Sequence, residues 1–291
     1  MDDKKLKWIF LVILSIIWGS SFILIKKGLL GLNAYQLGSL RIIFTAIFLF
    51  AIGFKSFKKI EKRHYKPVVV SALLGTFIPV YMFAFAETEI DSSIASILNS
   101  LTPLNTLVFG FFFFKMSFSK NQLLGVIIGL LGTLLLIVSG ANLNPEQNYW
   151  FSVFVIIASV CYAFNVSIIK IYLQDLNAMS IAVGNFAVII IPALVVLSLT
   201  GFFKMEVLTS EVVQTSMLYL VLLAIFGTGI AKVMFNRLVQ ISTPIFASSV
   251  TYTIPIIALI WGVLDGERLS VWQIVATVII LLGVFLANRK K

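Results

Sequence analysis

The chain is written almost entirely as apolar runs of a repeated length. Between polar, Gly or Pro punctuation they fall at about 7–25, 34–54, 67–86, 93–114, 121–139, 150–170, 178–200, 216–237, 244–264 and 271–288. A helix needs about 20 mostly apolar residues to cross a bilayer. Hydrocarbon offers backbone N–H and C=O groups no partners, so runs of this length are helical. The pattern predicts an all-α integral membrane protein with ten transmembrane helices. Composition agrees, at 60% hydrophobic and 12% charged residues, against about 45–50% and 25% in soluble domains. So little charge leaves no room for a sizeable soluble domain. The N-terminal MDDKKLKWIFLVIL has the basic-then-apolar order of a signal peptide. Its apolar run continues through WGSSFILI with no A-x-A-like cleavage site, so a retained first span is expected.

The formal charge is +10, and it sorts by side. With the N-terminus inside, Lys4, Lys5, Lys7, Lys55, Lys58, Lys59, Lys62, Arg63, Lys66, Lys115, Lys120, Lys170, Arg237, Arg289, Lys290 and Lys291 lie inside. Only Lys26, Lys27, Lys204 and Arg268 lie outside, and the outer loop ETEIDSS is acidic. This positive-inside bias puts both termini in the cytoplasm and the chain in the cytoplasmic membrane. The partners expected are the lipid bilayer and a small-molecule substrate. Nucleic acid is not expected, because no basic run outside the spans is interleaved with aromatics. The sequence leaves the oligomeric state open, and a monomer is compatible with it. One cysteine, Cys161, and one histidine, His64 in KKIEKRHYK, provide no metal-ligand set, so no metal and no cofactor are expected.

The two halves resemble each other. SIIWGSSFILIKKGLLGLNA (15–34) aligns with SVCYAFNVSIIKIYLQDLNA (159–178). Gly75-Thr76 and Met82-Phe83 match Gly227-Thr228 and Met234-Phe235. Ala95-Ser96 and Pro103 match Ala247-Ser248 and Pro255, and Gln122 and Gly132 match Gln273 and Gly283. The offset drifts from 144 to 152 and then 151, as loop-length changes would produce. The expected division is 1–144 and 145–291, five spans each. An odd number inverts the second unit, giving the two inverted five-helix repeats typical of secondary transporters.

The segments IIWGSSFILIK, LNAYQLGSLRIIFTA, the Pro103 and Pro255 spans and LDGERLSVWQIVATVIILLGVFL carry a resemblance to the drug/metabolite transporter superfamily, EamA type. It covers essentially the whole chain. The resemblance implies a ten-helix exporter or exchanger of metabolites such as amino acids. A glutamate often found late in each repeat stands here as Glu267 in the second unit, while the first has Met116.

Candidate site residues follow from polar groups placed inside spans. Ser92, Ser96, Asn99, Pro103 and Thr106 share one helix face, and Ser248, Thr251 and Pro255 reproduce part of it. Each proline removes a donor and frees the carbonyl four residues earlier, those of Asn99 and Thr251. Such carbonyls need protein or water, so the stripe reads as cavity lining, with polar packing between helices as the alternative. Pro103 and Pro255 are the expected hinges. Trp18 and Tyr162 are repeat partners near mid-span, suited to apolar walls or to core filling, and Asn165 shares Tyr162's face. Thr228, Lys232 and Asn236 lie four apart on one face. Lys232 is either a cavity charge or a snorkelling side chain. Arg41, with repeat partner Asn185, is open to the same two readings.

No Asp or Glu falls deep within a span, so a carboxylate proton relay is not expected. The leading expectation is a secondary transporter that exports an amino acid or related zwitterionic or anionic compound by alternating access. A carrier of nucleotide-type or drug-like substrates is the alternative. A membrane enzyme lacks span histidines, acidic pairs or a phosphate loop, so no catalytic residues are expected.

Overall fold

The computed structural model describes residues 2–117, 119–141, 148–265 and 271–288. All regular structure among them is helical. Eight segments are long and apolar enough to cross a membrane: Asp3–Gly28, Ala34–Lys59, Lys62–Ala86, Ser92–Phe114, Ser152–Tyr172, Ala178–Leu199, Glu211–Ile241 and Pro244–Leu264. Two further apolar helices, Lys120–Ala141 and Val271–Asn288, fall where the fifth and tenth spans were expected. Within these segments we number α1 (Asp3–Gly28), α2 (Ala34–Gly53), α3 (Tyr65–Ala72), α4 (Ile78–Ala86), α5 (Ser92–Leu98), α6 (Thr102–Phe114) and α7 (Lys120–Ala141). The second half supplies α8 (Ser152–Tyr172), α9 (Ala178–Leu199), α10 (Met205–Leu208), α11 (Glu211–Leu222), α12 (Ala231–Ile241), α13 (Pro244–Ser248), α14 (Val250–Leu264) and α15 (Val271–Asn288). The expected domain boundary at 144/145 and Glu267 lie outside the described residues.

The repeated Leu-Asn-Ala has a local cause. Asn33 caps α2, its side chain accepting from Gln36 N at 2.9 Å while Gln36 Oε1 accepts from Asn33 N at 3.1 Å. Asn177 caps α9 the same way, accepting from Ser180 N at 2.7 Å. An Asn side chain satisfies an N–H that the first helical turn leaves open.

Matching elements of the halves pack reciprocally. The pairs α2 with α9 and α7 with α15 are each between equivalent positions. The α1–α14 contact has its counterpart in α6–α8, and α1 with α11 and α12 in α3 and α4 with α8. In the α7–α15 contact a Cβ on Gly283 would stand 2.5 Å from Gly129 N, and one on Gly132 would stand 2.9 Å from Ile280 N. Small residues allow backbones to approach where lipid supplies no hydrophobic drive between helices.

Two spans each contain one π-helical stretch, Leu73–Phe77 between α3 and α4 and Leu223–Ile230 between α11 and α12. These hold the matched Gly-Thr pairs. The fourth span of the first half is interrupted by a 3₁₀ turn, Asn99–Leu101, and that of the second breaks at Ser249, between α13 and α14. Neither break is at the proline itself. Pro103 stands in the first turn of α6, where a missing N–H costs nothing, and Pro255 lies inside α14.

Both ends of the bundle are tied by polar contacts. At one end His64 is buried, with Nδ1 accepting from Glu61 N at 3.1 Å and Nε2 3.0 Å from Asp175 Oδ2, which also meets Arg63 at 2.7 Å. The His64 contact, with Arg63 beside it, holds the Asp175 carboxyl below its usual range. At the other end Lys26 and Lys27 reach Asp265 at 3.1 and 2.8 Å.

Candidate functional site

A cavity of about 90 Å³ sits between the halves. Its lining is built from residues at the two repeat separations. Trp18 with Tyr162 and Ser21 with Asn165 are 144 apart; Gly75 with Gly227, Thr76 with Thr228, Val80 with Lys232, Phe83 with Phe235 and Asn99 with Thr251 are 152 apart. Phe22, Ile25, Arg41, Thr102, Ser248 and Ile254 complete it.

Of the expected binding residues, Trp18, Arg41, Asn99, Tyr162, Asn165, Thr228, Lys232 and Thr251 line this one cavity. Ser96 and Asn236 do not. Ser96 Oγ turns back to Ser93 O at 2.7 Å, and Asn236 Nδ2 donates to Ala178 O at 3.3 Å across the packed α12–α9 contact. Helical spacing put each on the right face, but both side chains are fully enclosed by neighbouring helices.

The two cations are inside the bundle and do not snorkel. Lys232 is 6% exposed and Arg41 8%. Lys232 Nζ donates to Gly75 O at 2.7 Å, and Arg41 Nε donates to Thr228 Oγ1 at 2.7 Å. Gly75 O is available because its α-helical donor would be the N–H of residue 79, which is Pro79 and carries none. The equivalent carbonyl, Gly227 O, accepts from Trp18 Nε1 at 3.0 Å. At Gly75 a Cβ would stand 2.5 Å from the Asn165 amide, so only glycine lets α8 approach. That amide oxygen accepts from Ser71 at 2.7 Å, and Asn185 stands 3.2 Å from the same hydroxyl. Arg41 and Asn185, which the sequence alignment of the halves pairs, therefore part company: Arg41 lines the cavity and Asn185 packs.

The carbonyls four residues before the prolines both meet protein hydroxyls, although Asn99 O also accepts from Thr102 N in the 3₁₀ turn. Thr102 Oγ1 donates to Asn99 O and Ser100 Oγ to Thr251 O, both at 2.7 Å. Ser100 thus joins the broken span of one half to that of the other. Sequence reasoning missed Ser100 and Thr102, although each sits within a turn of a proline-freed carbonyl. It also missed Thr76, whose buried hydroxyl has no hydrogen-bond partner in the cavity wall.

A second omission is Glu87. The sequence places it at the rim of the third span; the structure folds it inward to 8% exposure. Its Oε2 is 2.7 Å from Ser92 Oγ, and its buried Oε1 has no hydrogen-bond partner among the described residues.

Chemically, the lining offers two cations, several hydroxyl and amide groups and an aromatic wall from Trp18, Phe22, Phe83, Tyr162 and Phe235. It includes no carboxylate among the described residues. The model of the EamA-like transporter family matches residues 6–138 and again 150–289. The chain belongs to the EamA-like transporter family. This establishes the resemblance read from its motifs and makes it a membrane-embedded transporter. Relatives of this EamA member include the uncharacterized inner membrane transporter YedA of Escherichia coli K12, 28% identical over 96% of this chain and 89% of the relative. An uncharacterized transporter of Archaeoglobus fulgidus is 24% identical over 98% of this chain and 99% of its own length. A protein of Salmonella typhimurium named "Probable amino-acid metabolite efflux pump" is 24% identical over 93% and 91%. One crystal structure shares the fold with a TM-score of 0.73 at 16% identity, covering 96% of this chain and 95% of the other.

Proposed function

We propose that this EamA transporter exports a small anionic or zwitterionic metabolite of amino-acid size by alternating access across the cytoplasmic membrane. The observation that carries the reading is the buried pair Arg41 and Lys232. Each is hydrogen-bonded to a neutral oxygen, in a lining without a carboxylate. A buried cation costs a few kcal/mol unless paired, and an anionic group brought by the substrate supplies the pairing. Size supports a metabolite over a nucleotide. At about 90 Å³ the cavity is small beside the roughly 300–1,000 Å³ of pockets for drug-sized ligands. Cationic drugs are disfavoured by the same two charges.

The mechanism is read as ten spans in two inverted halves, 1–144 and 145–291. The twofold family match, the reciprocal helix contacts and the paired cavity lining support it. The lysine and arginine bias supports cytoplasmic termini. Inner-membrane location and outward transport follow the relatives named for them. The test is exchange in proteoliposomes, with amino acids and small organic anions offered from either side. Counterflow of an anionic or zwitterionic solute is expected, and in Lys232→Met it should need roughly five- to thirtyfold more solute for the same rate. Transport confined to cations or neutral solutes would overturn the reading.

A further inference from the structure

Glu87 belongs to none of the functions assigned above, yet it is a buried carboxyl one helical turn from Phe83 in the cavity lining. Its position is set by a tight turn after α4: Glu87 N bonds Phe83 O at 3.0 Å and Ile90 N returns to Ala86 O at 3.0 Å. Phe83 lines the cavity and meets Phe22 edge-on at 5.7 Å. Glu87 therefore stands one turn beyond Phe83, and its partner Ser92 reaches the carbonyl of Phe22, so both aromatic residues are tied to the carboxyl's surroundings.

The hydroxyl beside it has two neighbours. Ser92 Oγ lies 2.7 Å from Glu87 Oε2 and 3.3 Å from Phe22 O. A serine has one proton to give. With a carboxylate it satisfies one neighbour only. With a protonated carboxyl both bonds are made: Oε2–H donates to Ser92 Oγ, and Ser92 donates to Phe22 O. The buried Oε1, which lacks a partner among the described residues, is then a neutral carbonyl oxygen instead of half of an anion. Burying the neutral form costs far less.

We propose that Phe22 and Phe83 close this end of the cavity and that Glu87 is the proton-binding site of that closure, protonated while the pair is closed and giving its proton to water when they part. On the orientation proposed above this is the outer face, so the proton comes from and returns to the external solution. The charged groups facing the site are Arg41 from α2 and Lys26 from α1, both favouring the anion. Lys26 is already engaged with Asp265, and Arg41 with Thr228. Tyr162 faces Arg41 from α8, and Asp91 lies on the following turn at the start of α5. Burial outweighs the cations and pushes the Glu87 carboxyl up to about 8. An exposed glutamate titrates near about 4.3. The closed state is thus favoured in acid and loses its advantage as pH rises towards about 8.

Accessibility of a cavity thiol tests this without any substrate, so the result is independent of the anion assignment. Thr76→Cys, whose hydroxyl has no partner to lose, is placed in a Cys161→Ala background. Right-side-out vesicles are treated with a membrane-impermeant methanethiosulfonate, and rates are divided by those of the same denatured protein at each pH. The rate is expected to rise up to about tenfold per pH unit between about 5 and 8 and then level off. With Glu87→Gln added it should be flat. A flat profile in the parent, or the same slope with Glu87→Gln, overturns the proposal. Should that variant fail to insert, Ser92→Ala must move the parent's midpoint by about one pH unit, and an unmoved midpoint overturns it equally.

Discussion

Lys232 shows how much one residue's surroundings decide its role. About five residues from the expected end of its span, its stem could have carried the ammonium towards water. Instead Nζ is 2.7 Å from Gly75 O, on a helix of the other half, inside the cavity. Lys232→Met keeps the stem and removes the charge. It should weaken an anionic or zwitterionic substrate by at least about 1–2 kcal/mol, roughly five- to thirtyfold in Kd. Lys232→Arg should retain part of the affinity, because charge survives while donor geometry changes. Titrating substrate against all three proteins, with a melting curve for each, decides the matter. Unchanged affinity with equal or higher stability in Lys232→Met would remove the lysine from the site. The sequence made this residue conspicuous because a charge inside an apolar run costs free energy. Glu87 escaped notice because it stands just past the run's end, where charge is ordinary, and only the turn at 87–90 buries it.

At the scale of elements, legibility followed periodicity and stopped where periodicity breaks. Span positions and most of the expected binding residues could be read from helical spacing, but of the proline-marked stripe only Asn99, Ser248 and Thr251 line the cavity, while Ser92, Ser96, Pro103, Thr106 and Pro255 do not. The π-helical stretches could not, because the Gly-Thr pairs within them look like any small-residue match. The prolines were located correctly, but the breaks are displaced from them. This separates two variants that the sequence treats alike. Pro103 occupies the first turn of α6, so Pro103→Ala should leave transport within about twofold of the parent; a proline there forfeits no helical bond. Pro255→Ala restores an N–H within reach of Thr251 O, the carbonyl already taken by Ser100. That competition should loosen the link between halves and slow transport several-fold more than Pro103→Ala does. Equal rates in the two variants would show that the Ser100 contact has no part in the motion. The α7–α15 seam makes a stability prediction. Gly283→Ala places a methyl 2.5 Å from Gly129 N and 2.7 Å from its Cα, against backbone that cannot rotate away. Helix separation should cost about 1–3 kcal/mol, read as a lower Tm in detergent; an unchanged Tm would mean that the seam is looser than described.

For the whole molecule, orientation decides what every other feature means. In the proposed orientation, which rests on the charge bias, the end carrying Lys59, with its tie through Arg63, His64 and Asp175, is the cytoplasmic one. The end carrying Lys204, Asp265 and Glu87 then faces outward, where Glu87 meets the external pH. Two exposed lysines at opposite ends, Lys59 and Lys204, allow a direct measurement. Each is changed to cysteine in a Cys161→Ala background, and intact cells are treated with an impermeant maleimide before and after permeabilisation. Lys204→Cys should label at once in intact cells. Lys59→Cys should label only after the membrane is opened. The reversed result would invert the chain, turn Glu87 towards the cytoplasm and make the proton site a sensor of internal pH. Partial labelling of both sites in intact cells would mean dual insertion. The two inverted halves proposed here make that a real competitor, and the excess of lysine and arginine at the Lys59 end is the physical term that opposes it.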